Sequence, residues 1–274
     1  MRYGYNIQTW GSLAAHPLGV SSVKDCVYCS RVPTLEAVVQ EIAQAGYVGF
    51  EIFDGDLLLY EGKPQEFRDL MSKTGMVLSG VYTGGNFIFE EVLPEELSKI
   101  KRVAELASQI EAEFLIVGGG AVRAGGIVDE DYRRLGKALD EVQKIASDCG
   151  LNVSYHPHLG TCCENWNQLV RVMENTTIGL CPDTAHIVAG GTDLVTLVSL
   201  FGDRINYVHL KDYKDGKFLE LGEGMVDFKA FAKALQERGY DGWIVVELDF
   251  ATRTPSESLV MNTRYLKAVL EEIF

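Results

Sequence analysis

Residues 179–186 read GLCPDTAH: a short apolar run, a proline that stops it, then Asp183 and His186 within four positions. Three more stretches share this form. Leu151–His156, LNVSYH, ends in His156, Pro157 and His158. Ile205–His209, INYVH, ends in His209, with Lys211 and Asp212 just beyond. Trp243–Glu247, WIVVE, ends in Glu247. Asp183 follows His156 by 27 residues, His209 follows Asp183 by 26, and Glu247 follows His209 by 38. Each gap has the length of about one strand–helix unit. Donors at the ends of four successive strands face one another only if the strands are parallel and the sheet closes. The expectation is an α/β (β/α)8 TIM barrel with its chemistry at the C-terminal mouth.

The remaining sequence repeats the unit. Strands are expected at Tyr3–Thr9, Val48–Phe53, Met76–Val81, Phe114–Val117, Leu151–His156, Ile178–Cys181, Ile205–His209 and Trp243–Glu247. They are continuous apolar runs, as strands buried on both faces require. Helices are expected from a Thr34 cap with a capping-box look, then at Lys63–Thr74, Pro94–Ile110, Asp129–Cys149, Asn165–Glu174, Asp193–Phe201, Phe228–Arg238 and Ser256–Ile273. Helix-to-strand turns are tight and carry Gly46, Gly75, Gly150 and Gly239. Strand-to-helix loops are longer and hold nearly all the His, Gly-rich and aromatic segments, as the catalytic face of a barrel does. The longest, Trp10–Pro33, is expected to be functional. No linker or low-complexity run interrupts the chain, so residues 1–274 read as a single domain. An open doubly wound sheet would show a phosphate loop, and Gly118–Gly120 lacks the spacing.

The 274 residues carry 25 basic and 39 acidic side chains, a net charge of −14. That balance disfavours nucleic acid and anionic membranes, which need clustered cations. No apolar run is long enough to span a bilayer and the N-terminus has no signal-peptide pattern, so a cytoplasmic protein is expected. The six cysteines are expected to be reduced there. Cys26 and Cys29 form a CxxC with no second pair to complete a zinc site, so they read as free thiols in a loop. Cys149 and Cys181 read as core.

His16, His156, His158, His186 and His209 all fall on the strand-to-helix side, beside Asp183 and Glu247. Imidazoles and carboxylates without paired cysteines suit a divalent metal: manganese or cobalt first, with zinc, iron or magnesium as alternatives. The strand-end positions make His156, Asp183, His209 and Glu247 the expected ligands. His158 competes with His156 for that role. His186, three residues past Asp183, suits an acid/base or substrate-binding role. Trp10, Tyr82 and Phe87 are expected as pocket walls, and Gly222–Gly224 as a tight loop near substrate.

Several segments carry a family resemblance: YHPHLGT at Tyr155–Thr161, DTAH at Asp183–His186 with Gly190 and Gly191 after it, HLKD at His209–Asp212, GEGMVDF at Gly222–Phe228, and GYVGFE at Gly46–Glu51. The chain resembles the xylose isomerase-like TIM barrel superfamily of sugar isomerases, epimerases and endonucleases. Its second half looks like the inosose (2-keto-myo-inositol) dehydratases. DTAH and the strand-seven histidine are superfamily features, whereas HPHLGT is narrower. The epimerases of this superfamily place a glutamate where this chain has His156, which argues for dehydration over epimerisation. The acidic charge and missing ligands argue against a DNA-cleaving enzyme.

The resemblance implies a metal-dependent hydro-lyase acting on a small keto-polyol, with a ketose isomerase or epimerase as the alternative. The metal would stabilise the enediolate left when the α-proton departs. His158, His186 or Glu51 would be the base, and a partner histidine or Lys211 the acid. Glu51 reads equally as a partner of a ligand, and Lys211 and Asp212 as an ion pair bracing His209. A homo-oligomer is compatible with the sequence.

Overall fold

The computed structural model describes residues 1–10, 13–14, 26–30, 32, 34–249, 253–270 and 273. Eight strands form the barrel: β1 (Arg2–Asn6), β2 (Gly49–Phe53), β3 (Val77–Gly85), β4 (Phe114–Gly119), β5 (Asn152–His156), β6 (Gly179–Leu180), β7 (Tyr207–Leu210) and β8 (Trp243–Val246). Every pairing among them is parallel, and β1 joins β2 to β8. Two bridges, Leu180 with Ile205 and Asp183 with His209, close β6 onto β7. The closing bond from His209 N to Pro182 O is 3.0 Å long. It sets Asp183 beside His209, so the seam of the barrel is also the floor of the candidate site.

The outer layer holds α1 (Leu35–Ala45), α2 (Asp54–Leu58), α3 (Pro64–Thr74), α4 (Leu93–Gln109), α5 (Asp129–Asp148), α6 (Trp166–Met173), α7 (Thr184–Ala189), α8 (Leu194–Phe201), α9 (Phe228–Glu237) and α10 (Pro255–Tyr265). Gly46, Gly75, Gly150 and Gly239 all take φ between 68° and 102°, the left-handed turn that reverses the chain from helix to strand. No helix among the described residues is long and apolar enough to cross a membrane.

The expected boundaries need physical corrections. β1 stops at Asn6, because Ile7–Trp10 tightens into a 3-10 turn. β3 runs on to Gly85, where small residues let it follow β4. Thr34 occupies the first N-cap but its side chain makes no cap bond; true capping boxes lie at Asn165/Gln168 and Thr254/Glu257. The last helix gives way to a wider turn at Leu266–Leu270. The short helices α2 and α7 and the hairpin Asp212–Lys214/Lys217–Leu219 lie in stretches read as loops.

Alternate strand residues fill the barrel. Phe53, Tyr82, Phe114, Ile116, Cys181, Tyr207, Trp243 and Val245 form one interior cluster, and the larger core lies between strands and helices. The N-terminal end is plugged by Trp243, whose indole donates to Glu113 at 2.8 Å beneath the Arg2 guanidinium. The other end is left polar.

Candidate metal centre and active site

The four expected ligands converge. One atom from each of His156, Asp183, His209 and Glu247 lies within 4.8 Å of the others, and all four residues are buried. His156 Nδ1, Asp183 Oδ2, His209 Nδ1 and Glu247 Oε2 are buried and lack a well-formed hydrogen bond, although His209 Nδ1 lies 3.0 Å from Glu247 Oε2 and the Lys211 ammonium is ion-paired to both carboxylate oxygens. His156 Nδ1 has neither a hydrogen bond nor an ion-pair partner, and gathering such atoms without hydrogen bonds is costly in a folded protein. Two imidazole nitrogens and two carboxylate oxygens aimed at one point are the donor set of a divalent transition-metal ion. The residues therefore fit the group that the sequence implies.

Neighbouring groups prepare each donor. Asp183 caps α7: its Oδ1 accepts from Ala185 N and His186 N at 2.8 and 3.1 Å, which leaves Oδ2 for the centre. His209 Nε2 donates to Glu51 Oε2 at 2.9 Å, fixing the tautomer so that Nδ1 faces inward. Glu51 Oε1 in turn accepts from Asn6 at 2.9 Å. Both oxygens of Glu51 are thus used behind the centre, the geometry of a ligand's partner. Burial, followed by the neighbouring His209, holds His156 neutral with its pKa well below the usual imidazole range. Burial opposes a charge on His209, but Glu51 and Glu247 outweigh it and hold its pKa well above normal. A proton on Nδ1 would occupy the place of an ion, so binding of an ion there would weaken as pH falls.

Lys211 is fully buried. Its Nζ stands 2.9 Å from Asp183 Oδ2, 3.2 Å from Glu247 Oε2 and 2.6 Å from Asp249 Oδ2. Burial disfavours its charge, yet these carboxylates hold its pKa well above the usual value. Asp212 is not its partner, contrary to the expected ion pair. Asp212 instead accepts four backbone N–H groups, from Tyr213, Gly222, Gly224 and Val226. The N–H groups of Gly222 and Gly224 are spent on this carboxylate rather than on substrate.

Above the centre lies a cavity of about 190 Å³, walled by Tyr28, Phe53, Tyr82, His158 and Asp249 among others. His158 Nδ1 sits 2.7 Å from Leu159 O, so Nδ1 carries the proton and Nε2 is left as acceptor. The His186 ring packs against it with centroids 3.7 Å apart. Both nitrogens of His186 are buried and unpaired, and burial lowers its pKa to about 4 despite Asp183 nearby. Phe218, on the hairpin, covers His186 and Lys211 from the side.

Tyr82 is a cavity wall as expected, but Trp10 and Phe87 are not. Trp10 packs edge-on to Tyr5 and donates to Glu41 on α1, while Phe87 is buried in the outer core. His16 lies outside the described residues. Cys26 and Cys29 are free; Cys181 is buried under the centre, whereas Cys149 is half-buried at the end of α5. Asp249, Gln8, Tyr28 and Phe218 were not anticipated. Asp249 had a signal, since it lies two residues past Glu247 and so on the same face of an extended chain.

A strap, residues 26–30, carries Tyr28 to the wall of this cavity. Asp56 accepts from Ser30 N and Ser30 Oγ at 3.0 and 2.8 Å. Burial raises the Asp56 pKa from 3.8 to about 6, more than the Ser30 bonds lower it. The unfolded chain then loses this proton first, so folding is penalised increasingly as pH rises through that window, by about 3 kcal/mol above it. An Asp56→Asn variant escapes the penalty. Its stability relative to wild type, from urea unfolding, is expected to climb by about 2–3 kcal/mol between about pH 4 and pH 7. A pH-independent difference would show that Asp56 keeps an ordinary pKa.

Comparison with known proteins agrees with this geometry. The inosose dehydratase of Lacticaseibacillus casei is 26% identical, with 94% of this chain and 97% of that protein covered. That of Geobacillus kaustophilus (strain HTA426) is 29% identical, covering 88% and 89%. Among solved structures, the IolI protein with a bound zinc atom superposes with a TM-score of 0.79 at 18% identity, covering 100% and 99%. A family model for the xylose isomerase-like TIM barrel matches residues 39–268. With most of its length matched and its barrel closed as that family's description requires, the chain belongs to the xylose isomerase-like TIM barrel family.

Proposed function

We propose that this chain dehydrates 2-keto-myo-inositol or a closely related cyclic keto-polyol, with a divalent ion held by His156, Asp183, His209 and Glu247. The observation that carries the reading is the convergence of four buried ligand atoms, one from each residue and all within 4.8 Å of one another, beneath a small cavity lined by the His158 imidazole. The likeness to inosose dehydratases supplies the substrate class. When bound, the ion supplies Lewis-acid stabilisation of negative charge on substrate oxygen.

The chain's own residues do the rest. Of the three candidate bases, His158 lines the cavity and has an acceptor nitrogen to spare. It takes the α-proton and, as imidazolium, returns it to the departing β-hydroxyl, which leaves as water. His186, packed against it with the two rings tilted by 40°, is a neutral donor or acceptor for a substrate oxygen. Lys211 holds its proton too tightly to be the acid; it fixes Asp183, Glu247 and Asp249 in place and adds positive charge near the reacting oxygens. An imidazole at the end of β5 leaves Glu247 without the second carboxylate that an epimerase uses to exchange protons on two faces.

The test is an assay of the purified protein with 2-keto-myo-inositol and added Mn or Co. Loss of one water per turnover, seen by mass spectrometry, is expected. His158→Gln should lower kcat by about 10²–10⁴-fold with the ion still bound. A product of unchanged mass would replace this reading with isomerisation or epimerisation.

A further inference from the structure

Beside the cavity over the metal centre lies a second one of about 220 Å³, walled by Gly84, Gly85, Asn86, Lys99 and Gly120 among others. Three residues line both: Tyr28, Gly119 and Thr161. Of these three, Tyr28 has by far the largest side chain, and so the most bulk to place between the chambers. This ring packs edge-on to Tyr82 with centroids 5.4 Å apart and leans on Phe53.

The strap that carries the ring is fastened with unusual care. Lys99 Nζ donates to Cys26 O at 3.0 Å, Asp54 Oδ1 accepts from Tyr28 N at 2.7 Å, and Asp56 holds Ser30. Three buried charged side chains thus grip alternate residues 26, 28 and 30 through charge-assisted bonds. Gly55 N also donates to Tyr28 O at 2.8 Å, and a Cβ on Gly55 would lie 2.5 Å from that oxygen. Burying charge to anchor a surface strap is costly unless the strap's position matters.

We propose that Tyr28 is the specificity-determining wall of this enzyme: it limits the substrate to a single unsubstituted ring by sealing the catalytic cavity from the second chamber. Without the ring, the two spaces join into a cleft that accepts a keto-polyol bearing one bulky substituent. The inference rests on the proposed keto-polyol chemistry for its choice of substrates, but its test does not need turnover.

The experiment measures calorimetric binding of myo-inositol and of a mono-O-benzyl myo-inositol, with Mn present, to wild type, Tyr28→Phe and Tyr28→Ala. It also measures kcat/KM for 2-keto-myo-inositol and its mono-O-benzyl ether. Wild type and Tyr28→Phe are expected to favour the unsubstituted ring, and Tyr28→Ala to shift the preference toward the benzyl ether by about tenfold or more. Tyr28→Leu keeps apolar contact with Phe53 and Tyr82 and takes the place of the alanine variant if that does not fold. An unchanged preference in the folded variant, or a wild type that already binds the benzyl ether equally well, overturns the proposal. A shifted binding preference without turnover of either ketone supports it while removing the proposed reaction.

Discussion

Asp183→Asn is expected to lower ion-dependent turnover by on the order of 10³-fold while leaving the fold intact. The two carboxylate oxygens have separate tasks. Oδ1 caps α7 by accepting from Ala185 N and His186 N, and a carboxamide oxygen can do the same. Oδ2 faces His156, His209 and Glu247, with the Lys211 ammonium beside it at 2.9 Å. In the asparagine variant an NH₂ group stands there, which has no lone pair for a cation and points its hydrogens at the Lys211 ammonium. Ion retention should therefore fall with activity, while far-UV circular dichroism stays that of wild type. Asp183→Ala removes the cap as well and should cost about 1 kcal/mol more in stability. Metal analysis after dialysis, turnover and thermal melting separate these effects. An asparagine variant that keeps its ion and its rate removes Asp183 from the centre.

The sequence pointed to this candidate centre because its four proposed donors obey one rule. Each ends an apolar run, and in a parallel barrel every run ends at the same mouth. His156, Asp183, His209 and Glu247 could be chosen on position alone, and the structure brings all four together. Roles that depend on direction could not be read this way. Glu51 ends up behind His209 because β2 turns its side chain into the barrel toward Asn6, and spacing does not reveal which atom it meets. The pairing of Lys211 with Asp249, 38 residues away, comes from the neighbouring positions of β7 and β8. Tyr28 was hidden for another reason. Its stretch has no periodicity, and its place is set by Asp54, Asp56 and Lys99 on other elements. Trp10 and Phe87 misled because an aromatic in a rim segment has two faces to choose from, and both chose the outer core.

Removing the ammonium at position 211 should produce the other large effect, and one that an ion reverses in part. In Lys211→Met the oxygens of Asp183, Glu247 and Asp249, now 2.6–3.2 Å from an apolar tip instead of a cation, lose their shared compensation. Breaking a buried pair by removing one partner costs about 3–5 kcal/mol, here expected as a drop in melting temperature of roughly 10 °C for the ion-free protein. The same loss makes the centre more negative, so a divalent ion binds it more tightly and stabilises it more. Added Mn or Co should then raise the melting temperature of the variant further than that of wild type. Turnover should stay depressed by about 10²-fold even at saturating ion, because the positive charge beside the reacting oxygens is gone. If the ion stabilises both proteins equally, Asp183 and Glu247 do not share their charge between Lys211 and a cation. The four-ligand centre would then have to be redrawn without them.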